Sequence, residues 1–112
     1  MISHKYKCIF IHIPKCGGSS IEHCLINKPY DITETNYKRC YGWDDKNKIW
    51  MQHATVEEIK NLYIDKFYEY FRFVITRNPW ARSISDYFWM ERELKVQDSF
   101  KNYLCIFNVT NC

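Results

Sequence analysis

Lys15, Gly17, Gly18, Ser19 and Ser20 stand together where an apolar run gives way to a helical pattern, and as a set they have the chemistry of an anion site. The run before them, Cys8-Ile9-Phe10-Ile11-His12-Ile13, is mostly apolar and β-branched, as in a strand covered on both faces, and Pro14 ends it. Gly17 and Gly18 permit a tight turn and a close backbone approach to a ligand. Ser19 with Glu22 three residues on has the form of a capping box, so the turn is aimed at a helix N-terminus. There the first backbone N–H groups lack helical partners and the dipole is positive, and each exposed anion contact is worth about 0.3–1 kcal/mol. Lys15 adds a full positive charge. The plainer alternative is a strand-turn-helix corner with glycines for geometry and an exposed lysine.

A second strand-to-helix junction lies further on. Phe71-Arg72-Phe73-Val74-Ile75-Thr76 reads as a strand ending at Arg77-Asn78-Pro79, where Asn78 is a good N-cap and Pro79 a good first helical residue. The helix so opened runs through Trp80 to about Leu94, with Ala81, Ile84 and Phe88 as its inward stripe. Ser85 falls two turns in, turned toward the strand end from which Arg77 projects.

The elements between must carry these groups. The first helix stops near Asn27 because Pro29 follows, and residues 30–47 read as a long surface connection with Tyr37, Tyr41 and Trp43 and a turn at Asp44-Asp45-Lys46-Asn47. Lys48 to Gln52 reads as a short strand. Thr55 with Glu58 forms a second capping box, opening a helix whose Val56, Ile59, Leu62 and Tyr63 make one apolar stripe, and His53 sits just before it. After Glu91 the chain is charged, then mildly apolar, with a short helix from about Asp98.

At 112 residues with 18% aromatic side chains, including nine Tyr and four Trp, the chain reads as one folded domain over 1–112. A net charge of +3, with the basic residues scattered, argues against nucleic acid as a partner. The apolar run near the N-terminus is broken by His12, Pro14 and Lys15, which excludes a signal peptide or membrane span there. Six cysteines, at 8, 16, 24, 40, 105 and 112, do not follow a zinc spacing. We read them as reduced and mostly structural: Cys8 in a buried strand, Cys24 on the apolar side of a helix, Cys105 and Cys112 reactive if exposed. Asn108-Val109-Thr110 fits a glycosylation acceptor that, without a secretory signal, is read as chance.

The order of the first motif is distinctive. Nucleoside-triphosphate P-loops place their lysine after the glycines, whereas Pro14-Lys15-Cys16-Gly17-Gly18-Ser19-Ser20 has it first. This order resembles the 5′-phosphosulfate loop of sulfotransferases that use 3′-phosphoadenosine-5′-phosphosulfate (PAPS), especially those acting on carbohydrates of the heparan and chondroitin type. The stretch from Arg77 to Tyr87 resembles the 3′-phosphate motif of the same family, in which the arginine ending a strand and a serine eight residues later bind that phosphate. These fall on Arg77 and Ser85, and the chemistry agrees, since a guanidinium offers a planar fork to phosphate and a helix hydroxyl adds a third donor. Gln52-His53-Ala54-Thr55 resembles the family segment where a histidine at a helix entry is the general base, which implies that role for His53, with Glu57 or Glu58 as the next candidates.

The resemblance implies an α/β fold of P-loop-like, three-layer form, a small parallel sheet flanked by helices, and sulfuryl transfer from PAPS to a hydroxyl, most readily of a carbohydrate, with no metal. Lys15 and His53 are then the catalytic residues, and Lys15, Cys16, Gly17, Gly18, Ser19, Ser20, Arg77 and Ser85 hold the donor. Cys16 stands where the family often has threonine, which leaves only backbone contacts at that position. Animal members usually carry a membrane anchor ahead of the catalytic domain, so its absence points to a cytoplasmic protein or to a Golgi-type catalytic fragment without its anchor. The family normally continues beyond this chain, so we expect truncation at the C-terminus, apolar surface left open around Phe71, Phe73 or Phe107, and self-association. Two rivals follow: a truncated relative that binds nucleotide without turnover, and a nucleotide-kinase-like enzyme, which the lysine-first loop disfavours.

Overall fold

Strand β2 (Cys8–Ile11) lies in the middle of the main sheet, and its first three residues are buried. The computed structural model describes residues 1–26, 41–95 and 97–110. The chain divides into two compact units, Met1–Thr76 and Arg77–Cys112.

In the first unit β1 (Ile2–Ser3) pairs antiparallel with β2, and β5 (Phe71–Val74) pairs parallel with its other side in the register Cys8 to Phe71, Phe10 to Phe73. The sheet expected to be parallel is therefore mixed. The reason is local: His4 to Lys7 form a turn, with Lys7 in the left-handed region at φ +48, and fold the apolar Met1 and Ile2 back onto Ile9. Phe10 meets its cross-strand neighbour Phe73 with ring centroids 5.1 Å apart. β5 is an edge strand, and Phe71 is 71% exposed, as expected of that residue.

Helix α1 (Gly18–Ile26) follows β2. Cys24, expected on its apolar side, is exposed: the inward line of the helix runs through Gly18 and Glu22, and Cys24 is about 200° round from Glu22. The stop near Asn27, Pro29, Tyr37 and Cys40 lie outside the described residues. The chain then forms a hairpin, β3 (Trp43–Asp44) with β4 (Ile49–Trp50). The expected turn between them is held by Asp44, whose carboxylate accepts from the backbone of Lys46 at 3.0 Å and the amide of Asn47 at 2.7 Å. The strand expected to reach Gln52 stops at Trp50 and becomes a 3₁₀ helix, Met51–His53, because that turn sends Met51 fully into the core.

Thr55 caps α2 (Val56–Leu62) with the full reciprocal box to Glu58. Of the stripe expected on α2, Ile59 is fully buried while Val56 at the first turn is 49% exposed. A kink at Tyr63 then starts α3 (Ile64–Glu69), an element that the sequence pattern does not mark. Ile2, Ile9, Met51, Ala54, Ile59 and Tyr70 make the core of this unit.

In the second unit Asn78 caps α4 (Pro79–Glu93), its side-chain oxygen accepting from the backbone of Trp80 and Ala81. α5 (Phe100–Thr110) packs on it through Tyr87, Phe100 and Tyr103, whose ring centroids lie 5.2–5.9 Å apart. The expected inward stripe of α4 is not the packed one, since Ile84 and Phe88 are 46% and 56% exposed while the neighbouring Tyr87 meets α5. Tyr103 donates to Asp86 at 2.8 Å, and burial followed by this bond pushes its phenol up to about 12. Cys112 and the side chains of Ile106 to Thr110 lie outside the described residues. No helix among those described is long and apolar enough to cross a membrane. Cys8, Cys16, Cys24 and Cys105 are free thiols.

Thr55→Ala should lower stability by about 1 kcal/mol, read as a lower urea midpoint at unchanged slope. Bonds from the Thr55 backbone, which Ala retains, and from its hydroxyl, which Ala lacks, hold the Glu58 carboxyl below its usual range, so the hydroxyl's share is present above that range and is lost as pH falls through the lowered value. An unmoved midpoint would show that the cap adds nothing.

Candidate functional site

The loop between β2 and α1 is built on backbone that side chains normally avoid. Lys15 and Gly17 both lie in the left-handed region, at φ +64 and +81. For Gly17 this is unstrained, whereas for Lys15 it is a local cost of about 1 kcal/mol, tolerated where surrounding structure fixes the loop. Cys16 between them is buried, and the Ser20 N–H reaches back to the Gly17 carbonyl at 3.2 Å.

Gly18 opens the helix, and a Cβ there would lie 2.6 Å from the ring of His12. The imidazole thus packs against the first turn. Ser19 falls inside α1 and is not its N-cap, which corrects the capping-box expectation. The partner expected of it, Glu22, is 0% exposed and engaged elsewhere: Oε1 accepts from His12 Nδ1 at 2.8 Å and Oε2 from Gln52 Nε2 at 2.7 Å. A buried carboxylate demands such partners, because leaving either oxygen dry and unpaired costs more than an exposed cap returns.

Gln52 extends the network. Its Nε2 also donates to the Tyr41 hydroxyl at 3.0 Å, and its Oε1 accepts from the Trp50 indole at 3.3 Å. Among the described residues no buried side-chain nitrogen or oxygen lacks a partner. His53 follows at the end of the 3₁₀ helix, exposed, with its ring centroid 5.1 Å from that of His12. Partial burial, then the charge of His12, hold its imidazole below the usual histidine value, while Glu22 opposes the shift and the Met1 ammonium adds to it. His53 is therefore largely neutral near pH 7, the state that can accept a proton.

One side chain, His12, thus touches both the glycine turn that carries Lys15, Gly17, Ser19 and Ser20 and the candidate base His53. Arg77 and Ser85 belong to the second unit, Arg77 directly before the cap Asn78 and Ser85 half-buried within α4. The sequence reading missed His12, Glu22, Gln52 and Tyr41. The available signal was a histidine inside an apolar strand together with a glutamate four residues after Gly18, on the helix line that must face that strand.

The chain matches a family model described as the sulfotransferase family over residues 1–108, and it belongs to that family. Its class is that of a transferase. Neither the curated proteins nor the solved structures compared with it gave a match.

Gly18→Ala should destabilise the protein by about 1–3 kcal/mol through overpacking against the His12 ring, in denaturant unfolding. Gly17→Ala, with open space but φ +81, should cost about 1 kcal/mol. A Gly18→Ala protein as stable as the parent would show that the ring is not fixed there.

Proposed function

We propose that the protein is a PAPS-dependent sulfotransferase, with a P-loop-like arrangement of its glycine loop, that transfers the sulfuryl group to a hydroxyl of a carbohydrate. The observation that carries this reading is the contact of His12 with both the glycine turn and His53, which supports a donor loop and a base serving one reaction. The lysine-first loop, the arginine and serine of the second motif, and membership of the sulfotransferase family support the choice of donor.

Transfer is an in-line displacement in which the protein positions groups and neutralises charge. The acceptor oxygen bonds to sulfur as the bond from sulfur to the 5′-phosphate oxygen breaks, and the acceptor proton moves to the His53 imidazole. Lys15 stabilises the charge growing on the leaving phosphate, which is largest in the transition state. Backbone N–H groups around Gly17 to Ser20, with the Ser19 and Ser20 hydroxyls, hold the 5′-phosphosulfate. Arg77 and Ser85 hold the 3′-phosphate. Adenosine 3′,5′-bisphosphate is left as product.

Two measurements test this. Adenosine 3′,5′-bisphosphate should bind at least about tenfold more tightly than adenosine 5′-monophosphate, because charge-assisted bonds to the extra phosphate contribute about 1.5–3 kcal/mol. Arg77→Ala should abolish the preference, and equal affinities in calorimetry of the parent would sink the assignment of the second motif.

His53→Ala should lower sulfuryl transfer by about 10²–10⁴ with donor affinity nearly unchanged. Because its imidazole is held below the usual value, the rate should stay on its plateau through the ordinary histidine range near 6.5 and fall only at lower pH, where the base becomes protonated. A variant that transfers at the parent rate would pass the role to Glu57 or Glu58.

A further inference from the structure

We infer that Glu22 and His12 form a positioning pair that orients His53 toward the glycine loop, an inference that rests on the proposed role of His53 as base. Neither residue stands in the phosphate motifs, and neither is used by the proposed chemistry. Yet they are among the most buried polar side chains of the first unit, with the His12 side chain 6% and the Glu22 side chain 0% exposed.

The geometry fixes His12 on three sides. Glu22 Oε1, a carboxylate oxygen that can only accept, lies 2.8 Å from Nδ1, so Nδ1 carries the proton. The other edge of the ring, with Nε2, lies against Gly18, where even a Cβ would stand 2.6 Å away. The third side meets His53, tilted 48° at 5.1 Å. A ring pinned in this way cannot flip or turn without breaking the bond to Glu22 or striking the helix. Glu22 is itself locked, because its second oxygen holds Gln52, the residue directly before His53. The pair therefore grips the 3₁₀ helix at both ends of one dipeptide: through the Gln52 amide and through the His53 ring. A histidine whose far nitrogen is anchored on a carboxylate is the usual means of fixing a tautomer and a ring plane.

Burial first holds the His53 imidazole low, and the charged groups acting on it are His12 just after β2 and the Met1 ammonium just before β1, which add to the lowering, and Glu22 from α1, which opposes it. His12 acts to lower His53 and Glu22 to raise it, so replacing His12 while leaving Glu22 in place moves His53 up. Asn is the suitable replacement, since its amide nitrogen sits near the position of Nδ1 and keeps a donor on Glu22.

The test reads proton positions first. Long-range proton–nitrogen NMR correlations of the parent protein should show His12 protonated at Nδ1 throughout the folded pH range; a bare Nδ1 overturns the pair outright, whatever a variant does. In His12→Asn the His53 titration should move up, because the repulsion from the neighbouring imidazole that lowers it is gone while Glu22 remains. The low-pH limb of sulfuryl transfer should move with it, and adenosine 3′,5′-bisphosphate should bind within about twofold of the parent. A purely structural His12 would lower the unfolding midpoint and leave the His53 titration unmoved, which overturns the inference. If the parent transfers no sulfuryl group, the functional proposal falls by itself, and the tautomer and titration still decide whether the pair positions His53.

Discussion

A carboxylate with no exposed surface is the constraint on which the first unit depends. Glu22 sits on α1 where water does not reach, and an ion so placed is tolerable only when its oxygens are met by donors of good geometry. Those donors come from far along the chain, His12 at the end of β2 and Gln52 in the 3₁₀ helix after the hairpin. Their distance apart in sequence makes the bonds act as a clamp. The strand end, the first helix and the hairpin cannot shift separately without leaving Glu22 unpaired, a loss of about 3–5 kcal/mol in comparable buried pairs.

The clamp also explains the glycine of the loop. Gly18 is needed less for its backbone freedom than for the room it leaves to the His12 ring. Gly17 is the reverse case, with open space around it and a left-handed backbone. Two adjacent glycines thus serve different physical purposes: one accommodates the turn, the other the side chain behind it.

Signals that act within about four residues were legible in the sequence. Asn78-Pro79 opens α4, Thr55 and Glu58 close a full box, and Asp44 makes the hairpin turn, because each is satisfied by near neighbours whatever the rest of the chain does. The same pattern at Ser19 and Glu22 misled, since a glutamate three residues after a serine reads alike whether it bonds backward to a cap or inward to distant partners. Burial decided it, and burial is not local. The antiparallel β1, the short α3 and the conversion of the expected strand at Met51 into a 3₁₀ helix escaped for the same reason: each follows from where Ile2, Met51 and Tyr70 find a common core. The two stretches that resemble the family's phosphate motifs are set by spacing along the chain, and the family match over 1–108 spans both. Their supporting residues were not readable, because His12 and Gln52 become neighbours only through Glu22.

Precision at a reacting centre depends on such support, since a base that must be found among many rotamers loses the advantage of proximity, which in well-oriented cases reaches about 7–11 kcal/mol. His53 is exposed and would by itself be loosely held. Its ring rests on one that is bonded at Nδ1 and walled at Nε2, and its backbone follows a residue whose amide makes bonds to Glu22, Tyr41 and Trp50. The loop is set in advance as well, with Cys16 buried, Gly18 under the imidazole and Lys15 kept in a conformation that a mobile segment would abandon. The glycine loop and His53 are therefore both ordered by one buried acid, so that on the proposed reading the entropy of arranging donor loop and base falls on folding and not on the chemical step.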